Sequence, residues 1–109
     1  MNWSVSYLPE ALEDFRKLDG SQKILVRKAI QKVSQNPLPE SEGGYGKPLG
    51  NKNTSNLAGF LKIKLRGAGL RIVYQLIRQE DALLIVIIGA RADDEVYELA
   101  SARVKKHGL

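Results

Sequence analysis

Lys62, Lys64 and Arg66 alternate with Leu61, Ile63 and Leu65, and Arg71 follows across a short Gly67-Ala68-Gly69 link. Strict alternation describes a strand with one apolar and one wet face, because successive side chains point to opposite sides. A two-residue turn at Gly67-Ala68, with glycine where positive φ is needed, sets Lys64 opposite Arg71. Moving the turn to Ala68-Gly69 sets Arg66 opposite Arg71 and keeps every side chain on its face; a three-residue loop would reverse the second strand. In the first two registers Leu61, Ile63, Leu65, Leu70, Ile72, Tyr74 and Leu76 line the core side, and the four cations line the other. Like charges directly across a strand pair oppose folding, so the cluster is suited to a bound polyanion. Solubility and edge protection also place Lys and Arg on half-exposed strands.

The elements that must position this hairpin are readable from periodicity. Trp3 to Tyr7 alternates and reads as a first strand. Pro9 suits the first turn of a helix, with Glu10, Glu13 and Asp14 toward its positive end, Arg16 and Lys17 toward its negative end, and Gly20 as its closing residue. Ser21 is placed to cap a second helix, in which Val26, Ala29, Ile30 and Val33 recur at helical spacing. Asn36-Pro37-Leu38-Pro39 stops it, and the glycine- and asparagine-rich run to Asn56 reads as a long loop. Ala82 to Ile88 is apolar on both faces, as a central strand is. Asp93 or Asp94 is placed to cap a last, short helix with Val96, Leu99, Ala100 and Val104 as its apolar side. The expectation is α+β: a largely antiparallel four-stranded sheet, an N-terminal helical hairpin on one face and a short C-terminal helix.

The 109 residues suffice for one core, so residues 1–109 are expected to be a single domain. With no cysteine, a disulfide framework and thiol catalysis are excluded, and a reducing cytoplasm is expected. The N-terminal residues do not resemble a secretion signal, and no apolar run approaches a membrane span, so no membrane role is expected. The net charge is +5, and from Gly43 to Gln79 there is no Asp or Glu beside Lys47, Lys52, Lys62, Lys64, Arg66, Arg71 and Arg78. A one-sided field without a basic amphipathic helix favours nucleic acid over a lipid surface.

Four pieces, taken in order and spacing, carry a likeness: Lys47-Pro48-Leu49, Leu61 to Arg66, Gly69 to Tyr74, and Gly89-Ala90-Arg91-Ala92-Asp93-Asp94-Glu95-Val96-Tyr97. Together they resemble the RelE branch of the RelE/ParE toxin superfamily over nearly the whole chain, and the element order agrees. The resemblance implies a RelE/ParE-like fold and the toxin of a bacterial type II toxin-antitoxin system. It implies a ribosome-dependent endoribonuclease, an mRNA interferase that cuts message in the A site. The substrate's own 2′-hydroxyl would attack without a metal or other cofactor, leaving a 2′,3′-cyclic phosphate and a 5′-hydroxyl. The family's functional positions fall on Lys62, Lys64, Arg71, Arg91 and Tyr97, and its further basic residue, ahead of the hairpin, on Lys52 or not at all. The implied partners are a RelB-like antitoxin, the ribosome with its message, and promoter DNA through the antitoxin.

The side-chain inventory agrees with that chemistry. The one histidine, His107, sits near the C-terminus and reads as incidental, so a His pair is unavailable, and no Asp/Glu/His cluster resembles a metal site. Acid and base work by Lys, Arg or Tyr remains, with electrostatic stabilisation of the crowded phosphorane. Lys64 is the candidate base, since neighbouring cations disfavour its charged form. Lys62 and Arg71 would stabilise the scissile phosphate, arginine by contacting two oxygens at once. Arg91 is assigned the leaving-group side by resemblance, as acid or as electrostatic stabiliser; Tyr97 would stack on a base, orient the nucleophile, or merely pack on the sheet edge. Arg66 and Lys52 are expected to bind RNA generally. Trp3, Tyr7, Phe15 and Tyr74 read as core, and Arg78, Arg103, Lys105 and Lys106 as ribosomal RNA contacts or solubility. A gyrase-binding, non-nuclease ParE-like toxin is the alternative on the same fold, and an inactive co-repressor a third; all five residue types being present argues for the nuclease.

Overall fold

The structure, a computed structural model, describes residues 2–49, 59–90 and 93–109, with backbone alone at 93 and 94. Strand β1 (Ser4–Tyr7) leads into helices α1 (Pro9–Arg16) and α2 (Gly20–Val33). Four strands follow, β2 (Lys47–Pro48), β3 (Phe60–Leu65), β4 (Leu70–Ile77) and β5 (Ala82–Gly89), then helix α3 (Asp93–Lys106). They form one sheet in the order β1-β5-β4-β3-β2. The β1–β5 pair is parallel and the others antiparallel, so the most apolar strand, β5, lies inside the sheet as its composition requires.

The sheet has five strands rather than the expected four, because Lys47 and Pro48 pair with Lys62 and Leu61. This strand emerges from loop-like sequence since the chain before it is pinned from elsewhere: the Tyr74 hydroxyl donates to the Pro37 carbonyl at 2.6 Å from within the core. Burial holds that phenol proton well above its ordinary range of acidity. Gly46 passes so close to Tyr74 and Leu61 that a Cβ there would overlap both side chains.

Helix α1 starts with Pro9 at its first turn, as read, but it closes at Lys17 in right-handed geometry. Gly20 is therefore the first residue of α2 and not a closing glycine, and the cap of α2 is Asp19 and not Ser21. Asp19 accepts from the Gln22 amide at 2.8 Å, while the Gln22 side chain accepts from the Asp19 amide at 3.1 Å; the Ser21 hydroxyl only supports the carboxylate. Those hydrogen bonds hold the Asp19 carboxyl below its usual range. Helix α3 is as long as α2, at 14 residues each, so the C-terminal helix is not short.

The core runs through both faces of the sheet. On one face α2 buries Val26, Ile30 and Val33, and a groove of about 360 Å³ lies between its Leu25 and Ala29 and the Ile63 and Leu65 of β3. On the other, α3 packs on β4 and β5 through Val96, Ala100 and Val104, all fully buried. The hairpin's cationic face is thus not uniformly wet: Val73 and Ile87, which lie opposite each other on it, are buried. Of the residues read as core, Tyr74 is fully buried, while Trp3, Tyr7 and Phe15 pack partly buried against it.

Candidate active site

The hairpin register is the one with Lys64 directly opposite Arg71 and Lys62 opposite Val73. Its connection is longer than a two-residue turn. Leu65 pairs with Leu70, and Arg66-Gly67-Ala68 makes one 3₁₀ turn that Gly69 closes with φ 65°. The positive φ therefore falls at Gly69 and not Gly67; both connections give the same pairing, so the cationic face survives the difference.

Cross-strand partners share a face, which places Lys47, Lys62 and Val73 in one row across β2, β3 and β4, and Lys64 and Arg71 in the next. Four cations thus share the outer part of the face that α3 partly covers. Lys47 was not singled out as a site residue. The sequence shows it as one cation of the acid-free span and as part of a Lys-Pro-Leu run, but its place depends on a two-residue strand that local sequence does not announce. Lys64, Arg66 and Arg71 line an open cleft of about 300 Å³ at the hairpin end, with Leu65, Gly69 and Leu70 as its apolar surface. Arg66 is exposed there, while Lys64 and Arg71 are half-buried. Two guanidinium groups and an ammonium on one small cleft are suited to hold a phosphodiester from more than one side.

Tyr97 belongs to the first turns of α3 and is only 8% exposed. Its hydroxyl accepts a 2.7 Å hydrogen bond from Lys62 Nζ, and the ammonium lies 5.4 Å from the ring centroid. Most of the ring is covered, and the phenol fixes the direction of the Lys62 side chain. The acceptor is a hydroxyl and not a carboxylate, so this hydrogen bond brings no countercharge to the ammonium.

Sequence reading also offered cations that the structure employs otherwise. Arg103 forms a two-pronged, half-buried pair with Asp14 of α1, at 2.6 and 3.1 Å. Lys106 and His107 reach Glu10, at 3.1 and 2.9 Å, which gives His107 a structural contact on α1. Arg78 forms a two-pronged pair with Glu42 across 36 positions. Carboxylates meet all three charges; Arg103 is mostly buried in its pair, whereas Arg78 and Lys106 stay more than half exposed. Lys52 and Arg91 lie outside the described residues. Among the described residues no three of His, Cys, Asp and Glu gather as a metal site, and no helix is long and apolar enough to cross a membrane.

The fold recurs in known proteins. The chain is 33% identical over 106 residues, 96% of its own length and all of the relative's, to a RelE-like toxin protein of Escherichia coli. It is 29% identical to the mRNA interferase toxin RelE of Escherichia coli strain K12 over 104 residues, 95% of this chain and 99% of that one. Among solved structures, a doubly substituted Escherichia coli toxin RelE in the free state superposes with a TM-score of 0.73 at 26% identity, covering 95% of this chain and 99% of that one. The same toxin bound to an antitoxin RelBc peptide gives 0.68 at 27%, covering 92% and 95%. No protein-family model matches the chain. By full-length similarity this chain belongs to the RelE-like toxins.

Proposed function

We propose that this protein is the toxin of a type II toxin-antitoxin pair and an mRNA interferase that cleaves message in the ribosomal A site. The observation that carries the reading is the cleft in which Lys64, Arg66 and Arg71 converge, beside a Lys62 held on Tyr97. The interferase name of the Escherichia coli relative supports the activity, and its solved complex with a RelB peptide supports a RelB-like antitoxin as partner. None of the named relatives points to gyrase.

In this reading Lys64 takes the proton of the 2′-hydroxyl, whose oxygen attacks the adjacent phosphorus. The bond to the 5′-oxygen breaks as that oxygen gains a proton, leaving a 2′,3′-cyclic phosphate and a 5′-hydroxyl. Arg71 and Lys62 stabilise the charge that accumulates on the non-bridging oxygens. Lys47 adds to the same field from across Lys62. Arg91 serves the leaving-group side, a role that rests on resemblance alone, and Arg66 and Lys52 contact RNA more generally. Like charges directly opposed on neighbouring strands, Lys47 with Lys62 and Lys64 with Arg71, are an arrangement that a polyanion stabilises.

Lysine and arginine are weak acid-base pairs at neutral pH, so much of the rate must come from a message already held in line for attack. The test is primer extension on message in programmed ribosomes with an empty A site. Cuts at the A-site codon that vanish in Lys64→Ala are expected, with very slow cleavage of free RNA. Intact message in the presence of folded protein would overturn the reading.

A further inference from the structure

We propose that Asp14 and Arg103 are positioning residues for the site, fixing α3 at the one setting in which Tyr97 meets Lys62. The inference deepens the nuclease reading and rests on it for its kinetic arm only. Apolar contact is non-directional, and the stripe Val96, Ala100 and Val104 that packs α3 on the sheet would tolerate small slides along β5. A two-pronged guanidinium-carboxylate contact would not, because both N–H directions must be met together.

The geometry is specific. Asp14 Oδ2 accepts from Arg103 Nη1 at 2.6 Å and from the Ile88 amide at 3.1 Å, and Oδ1 accepts from Nη2 at 3.1 Å. Nη1 also donates to the Val86 carbonyl at 3.0 Å. Val86 is the extra residue where the β4–β5 register shifts: Val73 faces Ile87 and Tyr74 faces Ile85, which leaves Val86 without a partner on β4. One arginine therefore ties α3 to α1 and to the irregular point of β5 at once. The two partners are 16% and 17% exposed, so water competes weakly for them. A second rung, Glu10 with Lys106 and His107, repeats the contact one turn further along both helices but lies nearer solvent. Six residues separate Tyr97 from Arg103, about 9 Å of helix, so a shift at the clasp is delivered nearly undiminished to the phenol.

The test compares Arg103→Lys, which keeps the charge but loses the fork, with Asp14→Asn, Tyr97→Phe and the Arg103→Lys/Tyr97→Phe double variant. Single-turnover cleavage on programmed ribosomes is expected to slow about tenfold or more in Arg103→Lys, with the half-saturating ribosome concentration unchanged. The double variant is expected to be no slower than the slower single one, since both act through Lys62. A wild-type rate in folded Arg103→Lys, or losses that multiply in the double variant, would overturn the proposal. A readout free of RNA separates its failure from that of the nuclease reading. The ¹³C resonances of the Tyr97 ring should move in Arg103→Lys and Asp14→Asn in the direction of their change in Lys62→Ala, and stay in place in Glu10→Gln. Unmoved resonances in the two clasp variants would sink the proposal even if message is cut; moved resonances with uncut message would sustain it while the nuclease reading fails.

Discussion

Lys62 and Arg103 each hold a short hydrogen bond that ties α3 to the rest of the molecule, 2.7 Å from Lys62 to Tyr97 and 2.6 Å from Arg103 to Asp14. The acceptors differ. Arg103 meets a carboxylate, so its charge is neutralised within the fold and its work is structural. Lys62 meets a phenol, which orients the ammonium and leaves its charge unspent for an anion. For these two cations the nature of the acceptor, carboxylate or phenol, decides whether the partner brings a countercharge.

The sharpest way to break this contrast is to remove the charge at each place. Lys64→Ala is expected to act first on message cleavage, lowering it by at least about 100-fold, the scale of losing one catalytic group. Arg103→Ala should do the reverse first, stranding the half-buried Asp14 carboxylate and costing about 3 kcal/mol of stability, read as a fall of roughly 15 °C in Tm. Tyr97→Phe removes the acceptor but not the ring. It should slow cleavage about tenfold through a less ordered Lys62, with a much smaller loss of stability than Arg103→Ala.

A pH titration sharpens the structural side. The Glu10 carboxyl is lowered to about 2, by its own backbone amide first and then by Lys106 and His107. A carboxyl depressed on folding contributes stability that is complete above its ordinary value, near 4.5, and is lost as pH falls from there toward about 2. The Tm difference between wild type and Glu10→Gln should accordingly be present at neutral pH, shrink below about 4.5 and close as pH falls to about 2. The smallest effect belongs to Arg78→Ala. Its partner Glu42 and the guanidinium are about half exposed, so solvent screens the pair and the change should cost no more than about 1 kcal/mol, measured by chemical denaturation.

What could be read from the chain follows the range of the interactions. The cationic face of the hairpin is legible because alternation and a glycine-containing turn act over a dozen residues, while the pairing of Lys64 with Arg71 is one of the two registers they allow and the structure selects it. The interior position of β5 was legible from its composition, and the start of α1 from Pro9. The cap of α2 was misplaced because Ser21, Asp19 and Gly20 are adjacent and all three types suit helix ends; only the geometry shows Asp19 closing the box with Gln22. The second strand was missed because two residues carry no periodicity, and with it the placing of Lys47 across from Lys62. Arg103 and Asp14 are 89 positions apart and Arg78 and Glu42 are 36, so nothing local marks these cations as already met. That α3 would cover half of the hairpin's polar face, burying Val73 and most of Tyr97, is likewise a consequence of packing between distant elements.

The most direct test of the central claim pairs two measurements on Lys62→Met, a substitution that keeps length and removes charge. Single-turnover cleavage of message in programmed ribosomes and the thermal midpoint are recorded against wild type. The account predicts a loss of about 100-fold in rate with a midpoint within about 4 °C of wild type. Undiminished cleavage, or a loss of rate explained by collapse of the fold, would contradict the assignment of Lys62 to the site.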